Sequence, residues 1–360
     1  MRVGLITPYS LTVPGGVQGQ VLGLARALRT AGHDVRVLGP CDGPPPDAGV
    51  TPLGNSIPTV ANGSIAPLAP DPAAQLRTIR ALRDEAFDVV NVHEPMAPGP
   101  TMTAVLVKSA PLVGTFHAAG TSAAYRWLRP GVRWLARRLD VRCAVSVDAR
   151  ALAQGALGGT YEVLYNGIEI ERFAKAPPTK TIGPTIFFLG RHEPRKGLAE
   201  LLAAVSTLPD TVRLWVAGVG PETERLRAEH ADDHRIEWLG RITETEKASR
   251  LRGADVLCAP SLRGESFGVI LLEGMAAGTP VVASDLPGYA RVASGGNEAV
   301  LVPPGDPIAL GNALRRALTD GALARDLVEA GHQRALEFSM DELAARYVEL
   351  YERAISFHRR

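Results

Sequence analysis

Hydrophobic positions fall into short apolar runs separated by stretches with helical spacing. The first run covers residues 3–7. A loop over 8–16 joins it to residues 17–29, where Val17, Val21, Leu24, Ala25 and Leu28 share one helical face. Gly32 closes that helix and His33 leads into the next apolar run, a βαβ beginning whose crossover is expected to be right-handed. The proline- and glycine-rich stretch 39–72 reads as long loops around one short strand. Apolar runs at 87–92, 112–116 and 143–147 then alternate with helical segments, the pattern of a parallel sheet covered on both faces. Near Tyr165-Asn-Gly-Ile168 the alternation pauses, and Ala176-Pro-Pro-Thr-Lys180 reads as a linker. Strands are predicted again at 185–189, 212–217, 236–239, 255–259, 280–283 and 299–302. The result is two doubly wound α/β units of similar size, residues 1–170 and 171–339, with no residue-level repeat between them. Residues 340–356 are helical, with Leu343, Tyr347, Leu350 and Ala354 on one stripe, and the terminal segment 340–360 is expected to return to the first domain.

Composition sharpens this outline. A chain of 360 residues exceeds the size at which a single core stops growing, so two domains are the default. A hydrophobic content of 46% with 21% charged residues is that of a soluble globular protein. The net charge of +1 argues neither for nor against a nucleic-acid partner, so any basic feature is local; no nucleic-acid partner is expected. Cys41, Cys143 and Cys258 are odd in number and show no C-x-x-C spacing. They read as reduced thiols in a cytoplasm, not as a disulfide frame or metal site. Residues 1–7 lack the pattern of a cleaved leader, and no 18-residue window is continuously apolar, so a peripheral position on the membrane is the expectation where one is involved.

Ligands of open α/β sheets bind beyond the carboxyl ends of the strands. Every loop here with chemistry-bearing residues follows a predicted strand: Gly15-Gly16, His93-Glu94, His117, Gly190-Arg191, Gly218-Val-Gly220 and Glu265. Two such sheets facing each other would form a cleft suited to two substrates. The chain is organised around Ser261-Leu-Arg-Gly-Glu-Ser-Phe-Gly268, which leads into a helix expected to carry Phe267 and Gly268 in its first turn and Glu273 about two turns inside. A loop feeding a helix N-terminus is an anion site. Glu265 and Glu273 cannot favour a phosphate there, so they are expected to accept hydrogen bonds from hydroxyls of a sugar and a ribose. Arg191-His-Glu-Pro-Arg-Lys196 places cations after the first strand of the second domain, as a pyrophosphate requires; alone it reads as a solvated charged loop, and its position at a strand end opposite Glu265 favours the pyrophosphate.

Other features keep two readings. Gly15-Gly16 can admit a phosphate to the backbone or form an ordinary βα turn. Gly218-Val-Gly220 lacks the third glycine of a dinucleotide fingerprint and is followed by Pro221, so it reads as a turn. His93 and His117 lack companions for a zinc site; His117 can bond a sugar hydroxyl or be a satisfied structural histidine. Arg126, Arg129, Arg133 and Arg137, with Trp127 and Trp134, and the smaller Arg77–Arg80–Arg83 stripe, read either as solvated helix faces or as an interfacial surface near anionic lipid.

Together these motifs resemble retaining glycosyltransferases of family four with the GT-B fold. Glu265 to Glu273 matches their E-x7-E element. Pro8-Tyr-Ser-Leu-Thr-Val-Pro-Gly-Gly-Val-Gln18, Asn62-Gly-Ser64, His93-Glu-Pro95, Thr115-Phe-His117, Asn166-Gly167, Gly190-Arg191, Pro194-Arg-Lys-Gly197 and Gly264-Glu-Ser-Phe-Gly268 resemble the bacterial phosphatidylinositol α-mannosyltransferase branch. The resemblance implies two Rossmann-like domains facing a central cleft, acceptor in the first and donor in the second. It implies mannose transfer from GDP-mannose to a phosphatidylinositol-like lipid or polyol at the cytoplasmic membrane face, without metal or other cofactor. By motif, Arg191 and Lys196 would hold the diphosphate, Glu265 the hexose hydroxyls, and Phe267 and Gly268 would lie beside the sugar phosphate. Glu273 would accept from the ribose, and Lys247 would lie near the base. Gly16 would admit the diphosphate to the first domain, Tyr9, Gln18 and Asn62 would face the acceptor, and His117 the reacting sugar. Catalysis would rest on His117, Arg191, Lys196 and Glu265. A UDP-hexose donor with another acceptor and a nucleotide-sugar epimerase share this shape; a membrane-surface binding module is the non-catalytic alternative.

Overall fold

The computed structural model describes residues 1–13, 15–61, 64–118, 129–265, 267–294 and 296–358, with backbone alone at 60, 61, 64, 65 and 129. Asn62 and the Arg126–Trp127 pair lie outside the described residues. The chain divides into two compact units, Met1–Gly167 with Met340–Arg360, and Ile168–Ser339. The break falls three residues before the expected 170/171 boundary.

In the first unit the elements run β1 (Arg2–Ile6), α1 (Gly16–Thr30), β2 (Asp34–Gly39), β3 (Val50–Pro52), β4 (Ile57–Ala61), β5 (Ser64–Leu68), α2 (Pro72–Asp84), β6 (Val89–His93), α3 (Pro100–Val107), β7 (Leu112–Phe116), α4 (Arg129–Ala136), β8 (Val141–Ala144), α5 (Val147–Leu157) and β9 (Glu162–Val163). The second unit has α6 (Ile170–Ala174), β10 (Thr185–Leu189), a 3-10 turn at Pro194–Lys196, α7 (Leu198–Val205), β11 (Arg213–Ala217), α8 (Thr223–Glu229), β12 (Ile236–Gly240) and α9 (Glu244–Gly253). It continues with β13 (Val256–Ala259), α10 (Val269–Ala276), β14 (Val281–Ser284), α11 (Pro287–Val292), β15 (Val300–Val302), α12 (Pro307–Thr319) and α13 (Gly321–Glu337). The last helix, α14 (Met340–His358), belongs to the first unit.

The first sheet has the order β3-β2-β1-β6-β7-β8-β9 and the second β12-β11-β10-β13-β14-β15, all neighbours parallel. In each sheet the chain winds outward one way from its first strand and then returns to wind the other way. The direction reverses between β1 and β6 in one unit and between β10 and β13 in the other. At such a reversal the two neighbouring loops diverge and leave a crevice, where doubly wound sheets hold ligands.

Two sequence expectations need correction. The stretch 39–72 contains three short strands, of which β4 and β5 form an antiparallel hairpin; the single prolines Pro58 and Pro67, one in each strand, hid its periodicity. The strand expected at 143–147 is β8, which ends at Ala144 because the Ser146 side chain accepts from the Ala149 N–H and caps α5.

The returning helix α14 is held by more than its apolar stripe. Tyr347, Leu350, Tyr351 and Ala354 are buried with Val21, Leu24 and Leu28 of α1. Beneath them Asn91 Nδ2 donates to the Tyr351 hydroxyl at 3.0 Å, and Thr115 Oγ1 to Asn91 Oδ1 at 2.8 Å. Buried polar atoms that satisfy one another set a register that apolar packing alone would leave loose.

Candidate active site

The second unit gathers its charges where the winding reverses. The loop after β10 turns through Pro194–Lys196, and Gly197 follows with φ of 70°. A Cβ on Gly197 would lie 1.9 Å from the Pro260 carbonyl oxygen. The loop after β13 therefore approaches to a distance only glycine permits, and the Leu262 N–H donates to the Arg195 carbonyl at 2.8 Å. This approach brings Lys196 Nζ within 2.5 Å of Glu265 Oε1. Ser261 Oγ donates to the same oxygen at 3.0 Å and shares a 3.0 Å bond with the Tyr289 hydroxyl, while Arg195 stands 3.6 Å from it. Glu193 spans the two arginines, 3.1 Å from Arg191 and 2.8 Å from Arg195. Arg191 itself projects into solvent. The cluster holds three cations against two carboxylates, a residual positive charge.

Helix α10 begins later than expected. Gly268 has φ of 88°, outside the helical region, and is the N-cap; Phe267 and Gly268 thus precede the helix, and Glu273 lies one turn inside it. A Cβ on Gly268 would lie 2.6 Å from Tyr289 Cδ1. Phe267 is buried edge-on against Phe338, ring centroids 5.3 Å apart. Glu273 faces Lys247 of α9, whose Nζ lies 2.6 Å from Glu273 Oε1 and 2.9 Å from Glu244, 5.5 Å above the Phe173 ring. Burial opposes the ammonium charge, but the Glu273 and Glu244 carboxylates hold Lys247 above its ordinary range. In this structure both glutamates of the E-x7-E element thus accept from lysines.

In the first unit the crevice lies beyond β1 and β6. Tyr9 follows β1, is bridged to Leu68, and has its hydroxyl pushed up by burial and by the Glu94 carboxylate. Gln18, on the first turn of α1, is buried and donates from Nε2 to the Ser10 carbonyl at 3.3 Å. Gly16 opens α1, and a Cβ there would meet nothing within 4 Å. His93 ends β6 and His117 follows β7, with His93 Nδ1 and His117 Nε2 2.9 Å apart. Between them Glu94, at φ of 51°, accepts from the backbone N–H groups of His117 at 2.7 Å and Ala118 at 2.5 Å. Burial raises its carboxyl to about 7 despite those two bonds and lowers His117 to about 4. No group of three or more metal-ligating side chains occurs among the described residues.

The structure thus brings together Arg191, Lys196 and Glu265 in one cluster and Lys247 and Glu273 in another, within the second unit. Tyr9, Gln18, Gly16 and His117 gather at the first unit's reversal point. Several contributors escaped sequence reasoning. Glu94 was visible in His93-Glu-Pro95, but nothing local indicates that its carboxylate reaches the backbone after the next strand. Ser261 and Tyr289, which orient Glu265, are 28 residues apart. The basic stripe is only partly described: Arg133 and Arg137 are exposed, and Arg138 donates to the Val105 and Leu106 carbonyls and stacks over Trp134.

Two family models match the chain in succession: Glycosyltransferase Family 4 over residues 14–172 and Glycosyl transferases group 1 over residues 183–320. A phosphatidyl-myo-inositol mannosyltransferase of Mycobacterium leprae is 41% identical, covering 98% of this chain and 96% of its own. The protein of that name from Mycolicibacterium smegmatis is 40% identical over 98% of this chain and 94% of its own. Among solved structures, a sucrose-phosphate synthase from Thermosynechococcus elongatus superposes with a TM-score of 0.73 at 21% identity, covering 99% of each chain, which establishes the GT-B fold. With this fold and 41% identity over nearly the full length, the chain belongs to the phosphatidyl-myo-inositol mannosyltransferase family of GT-B glycosyltransferases.

Proposed function

We propose that the protein is a retaining α-mannosyltransferase that takes mannose from GDP-mannose and passes it to the inositol of a phosphatidylinositol-like lipid. The observation that carries the reading is the Arg191–Arg195–Lys196 cluster around Glu193 and Glu265, joined to 41% identity with a phosphatidyl-myo-inositol mannosyltransferase. A diphosphate leaving group needs positive charge where its own negative charge grows, and charges already held in place stabilise it without reorganisation. Lys196 and Arg191 supply that charge, so no metal or other cofactor is required. Donor binding lets Lys196 turn from Glu265 to the diphosphate, and the freed Glu265 oxygen accepts from the mannose hydroxyls. Phe267 and Gly268 flank the sugar phosphate, Glu273 accepts from the ribose, and Lys247 borders the base. Gly16, with open space at its α-carbon, admits phosphate oxygens to the N-terminus of α1. Tyr9, Gln18 and Asn62 meet the acceptor, and His117 meets the mannose. The acceptor hydroxyl attacks from the face the diphosphate leaves, and a departing phosphate oxygen takes its proton, which retains the α configuration.

Membrane attachment is peripheral in this reading. No described helix is long and apolar enough to cross a bilayer. Trp134 is 53% exposed beside Arg133 and Arg137, and Leu76 is 67% exposed beside Arg77, Arg80 and Arg83. Apolar anchors ringed by arginines suit an anionic cytoplasmic leaflet. The test is incubation with radiolabelled GDP-mannose, or with UDP-glucose, and vesicles containing phosphatidylinositol. Mannosyl lipid formed only from GDP-mannose is expected; absence of transfer from any common nucleotide sugar by folded protein would overturn the proposal.

A further inference from the structure

His93 and His117 form a buried pair joined ring to ring. His93 is the last residue of β6, and His117 lies two residues beyond its strand register partner Thr115 on β7. The adjacent strands bring the rings to a centroid separation of 5.2 Å, with His93 Nδ1 2.9 Å from His117 Nε2. His93 is 2% exposed, and its second nitrogen, Nε2, has no hydrogen-bond partner among the described residues. Burial disfavours a proton on both nitrogens of either ring.

Two neutral arrangements remain. If His117 donated from Nε2, His93 would accept at Nδ1 and carry its own hydrogen on Nε2, an N–H buried with nothing to receive it. If His93 donates from Nδ1, its Nε2 is a bare lone pair. The first arrangement strands a hydrogen and the second a lone pair, and orphaned buried N–H groups are rare in folded proteins. Glu94 accepts from the backbone N–H groups of His117 and Ala118, which anchors the backbone that carries the His117 ring.

We propose that His93 is a positioning residue that fixes His117 as the neutral tautomer protonated on Nδ1. His117 then presents an N–H from Nδ1, while its only lone pair is occupied by His93. This deepens the reading that His117 meets the transferred sugar: it donates to a hydroxyl oxygen there and cannot take the acceptor's proton.

The test reads the tautomer directly, so its failure is distinct from a failure of mannosyl transfer. Long-range proton–nitrogen correlation spectra of the full chain labelled with 15N-histidine, with His117 assigned by loss in His117→Gln, should show Nδ1 protonated and Nε2 bare. A proton on Nε2 of His117 would overturn the proposal. His93→Asn keeps an amide N–H at the Nδ1 position and should hold kcat within about twofold, whereas His93→Gln shifts the amide and should lose about five- to tenfold. Equal rates for the two variants would also overturn it. Both comparisons stand even where His93→Ala fails to fold.

Discussion

The buried pair Lys247–Glu273 can be separated into its structural and its ligand-binding parts. Their side chains are 11% and 14% exposed and 2.6 Å apart. At an effective dielectric constant of about 20, the attraction at that distance is about 6 kcal/mol, most of which offsets the desolvation of the two ions. Glu273→Gln leaves the ammonium buried with only the exposed Glu244 carboxylate at 2.9 Å. Removing one partner of a buried pair destabilises by about 3–5 kcal/mol; the remaining glutamate argues for the lower end. Lys247→Met with Glu273→Leu removes both charges at similar volume and should return stability to within about 1 kcal/mol of wild type. Urea denaturation followed by circular dichroism gives these values, and calorimetry with GDP supplies the second readout. If Glu273 accepts from ribose hydroxyls, the repaired double variant still loses about tenfold or more in GDP affinity, the magnitude of a hydrogen bond to a charged group. A Glu273→Gln protein as stable as wild type would refute the buried pair. A double variant with native GDP affinity would refute the ribose role.

Lys196→Ala should lower kcat about 100-fold with the fold intact, because one fixed charge at the leaving group is lost; single-turnover assays and circular dichroism check both halves. Gly197→Ala drives a methyl into the Pro260 carbonyl and should destabilise by about 2–4 kcal/mol in urea, whereas Gly16→Ala, in open space, should leave stability within about 0.5 kcal/mol and instead weaken donor binding. Glu94 has a definite pH signature. Its carboxyl rises from 4.5 to about 7 on folding, so the native state binds more protons than the unfolded chain between those values. Its contribution to stability is fully present below pH 4.5 and is lost as pH rises through about 7. Glu94→Gln removes that loss, and its stability relative to wild type should rise by up to about 3 kcal/mol from pH 4.5 to pH 8 in urea titrations, at about 1.4 kcal/mol per pKa unit; parallel pH curves for the two proteins would contradict it.

Much of this protein was legible along the chain because the information is local. An apolar run of five residues can bury both faces of a central parallel strand, so 112–116 and 185–189 were placed to the residue. A loop such as Arg191–Lys196 announces its charge by composition. Local conformation already limited this reading where one atom decides: the Ser146 cap ended β8 early, and the left-handed Gly268 moved the start of α10 beyond Phe267. Tertiary structure decided the partners. Glu265 meets Lys196 because β13 lies beside β10 and the loop after it closes to the distance Gly197 allows, and Glu273 meets Lys247 because α9 and α10 pack against each other. His93 reaches His117 because β6 and β7 are neighbours with their ends in register. Periodicity and composition report what each segment must bury or expose. Which side chains face one another beyond the sheet depends on strand order, a property of contacts between segments tens of residues apart.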